Sequence, residues 1–250
     1  MRHLATTVLV AAWLAAAGAP AAETDPTPEP PPRTAAFLFE YEISPGLEAQ
    51  FADGYRRHLD WHRAAGDPLS WYAWFVLTGP RAGRFVDGTF NLSFQDFDDR
   101  VDPGGDRTDG RRNVLPFARP VSRLVYRLRP ELGTSILFAD SEPTAMIEAV
   151  RVEVRAGREA AFEKAFRSAI SRGLAEPAFS CYQLVSGGAR PSYLLLIARE
   201  SWSEYERASR SPLGIDGVDS GVSADDPAVD RLTVETWGFR QDLTYVPPPR

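Results

Sequence analysis

Two histidines in this chain have the spacing needed for chemistry on one face of a helix. His58 and His62 lie four residues apart in a stretch with helical periodicity, so both imidazoles project from the same side. Two such groups can bind a metal ion or transfer protons near neutral pH. The intervening Leu59, Asp60 and Trp61 exclude an HExxH zinc motif, and a metal also needs a third ligand. We therefore predict no metal site and no cofactor, and keep His58 and His62 as candidate catalytic residues.

The same two histidines also continue an apolar stripe along the predicted helix, which fits hydrogen-bonded histidines of a core better than metal ligands and leaves a proton-transfer role open. Aromatic residues follow in a strand pattern, where alternation places Trp71 on one face and Tyr72 with Trp74 on the other. One set should face the helix and the other the interior of the sheet. An aromatic wall beside two histidines would suit a flat or apolar ligand, although aromatic strands also form cores. The predicted ligand-binding residues are Trp61, Trp71, Tyr72 and Trp74.

The other polar and reactive residues give weaker signals. Cys181 is the single cysteine, which excludes an intrachain disulfide, and its apolar strand context indicates a buried thiol. The acidic run from Asp96 to Asp102 lacks the spacing and the glycine of an EF-hand calcium loop. Two polar, glycine-rich segments, 102–113 and 209–230, are predicted to be mobile surface insertions. The sequence contains no GxSxG, P-loop or dinucleotide-binding motif.

The N-terminal region is predicted to lie outside the fold. Residues 1–21 combine Arg2 with an uncharged run that ends in small residues at a cleavage site, as a signal peptide does. Residues 22–34 form a proline-rich, disordered tether. We therefore expect export to the periplasm or the extracellular space, with no membrane span after the signal is removed. A formal net charge of −6 and scattered basic residues argue against nucleic-acid binding.

The elements that position the histidines occur twice along the chain. A strand, a glycine-containing break, an amphipathic helix, a hairpin and a late strand follow one another over 35–140 and again over 141–246, with a tail at 247–250. Each unit would leave one sheet face bare, and packing the two bare faces together gives a barrel with helices outside. Three positions keep their residue types at one constant offset: Gly46, Glu48 and Phe51 against Gly157, Glu159 and Phe162.

This order of elements resembles the dimeric α+β barrel superfamily, a ferredoxin-like group that includes antibiotic-biosynthesis monooxygenases and NIPSNAP-like proteins. The resemblance rests on the strand, break and helix of 37–65, the hairpin at Gly79 and the aromatic–acidic turn at 94–98. It implies an α+β fold in which two ferredoxin-like βαββ(α)β repeats form one eight-stranded barrel. Members often build the barrel from two chains, whereas the tandem copy implies a barrel closed within one chain and hence a monomer.

Three functions are compatible with this pattern. The favoured interpretation is an exported, non-enzymatic protein that binds a small apolar or aromatic molecule in a cleft of the first repeat, because no catalytic motif is recognisable. The first alternative is an enzyme that resembles the cofactor-independent monooxygenases of the superfamily, which implies His58 or His62 as the acid–base group. The second alternative is a structural protein without a ligand.

Overall fold

The computed structural model of the protein describes residues 31–138, 143–171, 178–207 and 227–248. The predicted signal peptide, most of the predicted tether and nearly all of the predicted insertion at 209–230 lie outside these residues. No helix within the described residues is long and apolar enough to cross a membrane.

Within the described residues, eight strands form one antiparallel sheet in the order β1-β3-β2-β8-β5-β7-β6-β4, and β4 pairs with β1 to close it. The predicted α+β class with one eight-stranded antiparallel sheet is therefore confirmed. The strands are β1 (Ala35–Ile43), β2 (Tyr72–Val76), β3 (Phe85–Leu92), β4 (Ala118–Leu128), β5 (Met146–Val154), β6 (Phe179–Ser186), β7 (Ser192–Arg199) and β8 (Val229–Phe239). The helices are α1 (Glu48–Ala65), α2 (Pro103–Asn113), α3 (Glu159–Ser171) and α4 (Ser203–Arg207).

Closure of the sheet buries both faces of most strands, which explains why their sequences are apolar on both sides. One core cluster receives side chains from all eight strands, among them the fully buried Trp74 and Trp237. A second cluster packs Phe51 and other residues of α1 against strands of the N-terminal half. A third packs Phe162 of α3 against strands of the C-terminal half and includes Cys181. Burial raises the pKa of the Cys181 thiol, which agrees with the prediction of an inert buried thiol.

A charged network lies on the inward face of the sheet. The buried Glu40 of β1 accepts hydrogen bonds from Arg81 and Arg151, and Arg81 also donates to Glu235 of β8. Burial acts to raise the pKa of Glu40, but the charges of Arg151 and Arg81 outweigh it and lower the pKa overall. The network therefore holds a carboxylate that is ionised at neutral pH and connects β1 to β5 and β8.

Helix α2 replaces the mobile surface loop that the sequence predicts over 102–113. Its sequence contains three glycines and no apolar stripe, so it lacks helical periodicity. The Asp102 side chain accepts a first-turn backbone N–H at 2.9 Å, and Pro103 occupies the first turn. Arg111 and Arg112 follow at the C-terminal end, where the helix dipole favours positive charge. This helix is therefore stabilised by the residues at its two ends and by its contact with α1, and hydrophobic patterning does not determine it.

Helix α1 ends at Ala65, as predicted, and Gly66, in a left-handed conformation (φ 65°), caps it. The middle of α1 contacts the C-terminal end of α2 at Gly54. A Cβ atom built at Gly54 would lie 1.9 Å from the carbonyl oxygen of Asn113. The missing side chain is therefore what allows α2 to approach the face of α1 that carries the histidines.

Candidate active site

A cavity of about 370 Å³ lies between α1, α2 and the outward face of the N-terminal strands. Strand alternation directs one set of side chains of β1 into it, while the set in between enters the core of the sheet. The cavity is within the size range of small-molecule sites. Its lining includes Phe37, Phe39, Tyr41, Tyr55, His58, His62, Trp71, Asp87, Arg100, Asp106, Arg107, Gly110, Arg111, Val114 and Arg123.

His62 is held by a carboxylate directly after helix α1. Its Nδ1 lies 2.7 Å from Oδ2 of Asp67, which also accepts the indole N–H of Trp71 at 3.0 Å. The other oxygen of Asp67 accepts the backbone N–H of Leu69 at 2.9 Å. Burial acts to raise the pKa of Asp67, but the hydrogen bonds from His62 and Trp71 lower it overall. An ionised Asp67 can only accept a hydrogen bond, so Nδ1 of His62 is the donor in this contact.

His58 is held in the same way by helix α2. Its Nδ1 lies 2.8 Å from Oδ2 of Asp109, whose other oxygen accepts a hydrogen bond from the Asn113 amide at 2.9 Å. Burial lowers the pKa of His58, and the neighbouring His62 lowers it further. His58 is therefore neutral at pH 7, and with its proton on Nδ1, the atom that contacts Asp109, its Nε2 lone pair is available.

The two histidines converge on a third group, Asp106 of α2. Oδ1 of Asp106 lies 3.4 Å from Nε2 of His58 and 3.9 Å from Nε2 of His62. Its Oδ2 accepts a hydrogen bond from Arg100 at 2.7 Å, and the Arg100 guanidinium lies over the Trp71 ring. Two imidazoles and one carboxylate thus meet at one wall of the cavity. We call His58, His62 and Asp106 the convergent triad.

A second polar pair lies on the sheet side of the cavity. The Tyr55 hydroxyl donates a hydrogen bond to Oδ2 of Asp87 at 2.6 Å. Oδ1 of Asp87 has no hydrogen-bond partner among the described residues. Burial raises the pKa of Asp87 to about 7, although the Tyr55 hydrogen bond acts against this shift. A carboxyl with this pKa can accept and return a proton at neutral pH.

The structure brings together only some of the predicted site residues. His58, His62 and Trp71 line the cavity. Trp61 lies beside it, with its ring stacked on His58 at a centroid distance of 6.3 Å. Tyr72 and Trp74 lie on the opposite face of β2, packed in the core of the sheet, and do not line this cavity. Their predicted place in the cleft therefore needs correction, because the face turned towards α1 is the one that Ala73 of β2 shares with Trp71, directly before the strand.

Sequence reasoning missed the acidic residues of the site. Asp67 follows the glycine that ends α1, and a polar residue at that position usually indicates only a turn. Asp106 and Asp109 have an i, i+3 spacing that would place them on one helix face, but their segment was not predicted to be helical. Asp87 alternates with apolar residues of β3, and an acidic residue on an otherwise buried strand is a usable signal.

Comparison with known proteins identifies the fold. No protein-family model matches the sequence, and no curated protein matches it. Solved structures do match. A candidate monooxygenase from Lactobacillus acidophilus is 13% identical with a TM-score of 0.55, over 85% of this chain and 96% of that one. An anthrone oxidase-like protein is 9% identical with a TM-score of 0.57, over 87% and 94%. A candidate chlorite dismutase is 10% identical with a TM-score of 0.53, over 83% and 95%.

These structural neighbours belong to the dimeric α+β barrel superfamily, as the resemblance noted above implies, and they share the fold of this chain. They are named as enzymes, which favours the enzyme alternative over an exported protein that only binds a small molecule. The favoured interpretation from the sequence is therefore corrected. At these low identities the likeness establishes the fold, and the function has to be argued from the cavity.

Proposed function

We propose that the chain is a monooxygenase-like enzyme that uses O₂ to oxidise a small aromatic substrate in the cavity between α1, α2 and the sheet. One observation carries this proposal: a single cavity combines aromatic walls with the convergent triad and with a carboxyl whose pKa is about 7. The names of the structural neighbours, candidate monooxygenases and an anthrone oxidase-like protein, support the reaction class.

The walls of the cavity indicate the class of substrate. Phe37, Phe39 and Trp71 offer ring surfaces, which favour a flat aromatic molecule. Arg123 lines the same space, and its guanidinium lies 5.4 Å from the centre of the Phe39 ring. Arg107 lines it as well. Positive charge beside aromatic surface suits a substrate that carries a phenolic or enolic oxygen, because these groups become anionic when they lose a proton.

The reaction that fits these groups needs no external reductant. A CH₂ group next to aromatic rings or a carbonyl loses two hydrogens and gains one oxygen atom from O₂, which gives a C=O group. The second oxygen atom leaves as water with the two hydrogens, so the substrate supplies all of the electrons. Asp87, supported by the Tyr55 hydrogen bond, accepts the first proton from the substrate. The convergent triad then lies where the substrate anion and O₂ react.

The test is O₂ consumption by the purified protein with a panel of polycyclic aromatics that carry an activated CH₂ or a phenolic hydroxyl, anthrone among them. We expect uptake with at least one compound, and a kcat lowered by about 100-fold or more in Asp87→Asn, since positioned general bases contribute roughly that much. Asp60→Asn is the matched control, because Asp60 is an exposed carboxylate of α1. Equal rates for wild type and Asp87→Asn, or no uptake with compounds that demonstrably bind, would contradict the proposal.

We also propose that 35–140 and 141–246 are copies of one unit. In support, the strands of the two halves follow the same spatial order, β4-β1-β3-β2 and β8-β5-β7-β6. Gly46 before α1 and Gly157 before α3 share a left-handed φ of 78°. In an experimental structure the best superposition of the halves should pair β1 with β5 and α1 with α3. A best superposition that pairs other elements would refute duplication.

A further inference from the structure

We propose that the convergent triad is a binding site for one divalent first-row transition-metal ion, with His58, His62 and Asp106 as its protein ligands. The inference deepens the proposed function, on which it rests for the reaction that the metal would serve. Each of the three residues offers a ligand atom within 4.8 Å of the other two. The sequence alone predicted no metal, because the third ligand comes from a helix that the sequence pattern does not reveal.

Both imidazoles are oriented as metal ligands. Histidine ligands usually donate their second ring N–H to a carboxylate, which fixes the tautomer and raises the basicity of the binding nitrogen. Here Nδ1 of His58 contacts Asp109 at 2.8 Å and Nδ1 of His62 contacts Asp67 at 2.7 Å. Both Nε2 atoms are left to face the same point. Two separate carboxylates, from a helix and from a turn, produce this arrangement.

The carboxylate ligand is oriented as well. Arg100 occupies Oδ2 of Asp106 at 2.7 Å, so Oδ1 is the atom that faces the imidazoles. Arg100 is itself positioned by its contact with the face of Trp71. Asp106 is supplied by α2 and the histidines by α1, and two docked helices hold the three ligands more firmly than a loop would.

The spacing of the ligand atoms is close to what a metal requires. Ligand bonds of about 2.0–2.1 Å place neighbouring donor atoms roughly 3 to 3.5 Å apart in octahedral or tetrahedral geometry. The distances from Oδ1 of Asp106 to the two Nε2 atoms are 3.4 Å and 3.9 Å. The first distance lies within this range and the second exceeds it by about 0.4 Å.

Three protein ligands leave coordination positions open towards the aromatic cavity. Two histidines and one carboxylate with open positions are the ligand set of non-haem iron(II) oxygenases. Iron(II) is therefore the ion that this ligand set favours for a reaction with O₂, and other divalent ions of this row, such as cobalt(II), should occupy the same ligands. The prediction that the enzyme needs no cofactor is replaced by this proposal.

The test is a titration of the chelator-treated protein with cobalt(II), followed by calorimetry and by the visible absorption of the bound ion. We expect one equivalent to bind. Asp109→Ala removes a carboxylate that only orients a ligand and should weaken binding by about 10- to 100-fold. Asp106→Asn removes a direct ligand and should weaken binding by more than about 100-fold. Asp60 is an exposed carboxylate on α1, and Asp60→Asn should bind cobalt(II) like wild type. Circular dichroism and thermal melting establish that each variant is folded.

Two results would overturn the inference: no saturable cobalt(II) binding by the folded protein, or equal affinity for wild type and Asp106→Asn. The second would mean that the triad is only a hydrogen-bonded histidine–aspartate network. The O₂ measurement separates this failure from failure of the proposed function. Metal binding without O₂ uptake upholds the site and refutes the oxygenase, whereas O₂ uptake by metal-free protein upholds an oxygenase that needs no cofactor and refutes a role of the bound metal in its reaction.

Discussion

Replacement of Gly54 by alanine should force helix α2 away from α1 and disable the site without touching any of its side chains. The new Cβ would lie 1.9 Å from the carbonyl oxygen of Asn113, whereas contacts under 3.0 Å essentially do not occur. Asn113 is the last residue of α2, so its backbone has to recede by more than about 1 Å. The same helix carries Asp106 and Asp109, and both must shift with it.

Two opposing free-energy terms determine the effect on stability. Alanine in place of glycine within a helix stabilises it by about 1 kcal/mol. Overpacking of a close helix contact destabilises by about 1–3 kcal/mol. We expect a net loss of roughly 1 kcal/mol in the free energy of unfolding, which leaves the protein folded. The site is far more sensitive, because functional groups must be held within about 0.5 Å of their working geometry.

The assay pairs urea denaturation with cobalt(II) titration. Gly54→Ala should lower metal affinity by at least about 10-fold, the effect of a displaced outer carboxylate. Gly104→Ala is the matched control, because Gly104 lies exposed in α2 and, apart from its chain neighbours and the backbone of its own helix, the nearest atom to a Cβ there is Oδ1 of Asp102 at 3.4 Å. The control should bind the metal normally. Normal affinity in Gly54→Ala would refute the argument that this glycine contact positions α2 over the histidines.

Further predictions concern charge and pH. Because burial raises the pKa of Asp87 to about 7, the native state holds a proton that the unfolded chain loses near pH 4, so stability should fall as pH rises between about 4 and 7. Asp87→Asn should flatten this part of the profile of melting temperature against pH, and an unchanged profile would contradict the assignment. The pKa of Glu40 is lower in the folded protein than in the unfolded chain. Its contribution to stability is therefore fully present above the pKa of the unfolded chain and disappears as pH falls through the pKa of the folded protein. Glu40→Gln should destabilise by about 3 kcal/mol in urea denaturation, whereas Glu42→Gln, whose side chain is 51% exposed, should lose less than about 1 kcal/mol. Equal losses would show that the inward network contributes no more than a surface pair.

Much of the fold could be predicted because hydrophobic patterning determines it. The strand, break and helix predicted over 37–65 are observed as β1 and α1 over 35–65, because alternation and an amphipathic stripe both end at glycine-containing breaks. Closure of the sheet followed from the need to cover a bare apolar face. Helix α2 could not be predicted in this way, since its residues carry no stripe and its stability comes from the Asp102 cap and from docking at Gly54.

The site was predicted in part for the same reason. The i, i+4 spacing placed His58 and His62 together, and strand alternation separated Trp71 from Tyr72 and Trp74. Alternation does not say which face of a strand a helix will cover, so residues of both faces were predicted to bind the ligand, and Tyr72 and Trp74 lie on the face turned away from this cavity. Asp106 comes from α2, so its place beside the histidines depends on tertiary docking that local sequence does not show.

We propose that the cavity beneath α1 and α2 carries out oxidation by O₂ at the convergent triad. The decisive measurement is turnover under isotopically labelled O₂, with mass spectrometry of the product formed by wild type and by Asp106→Asn. We predict that the wild-type product gains one labelled oxygen atom, that the other appears in water, and that Asp106→Asn forms little product while remaining folded. Product without label, or labelled product at the same rate from Asp106→Asn, would contradict this account.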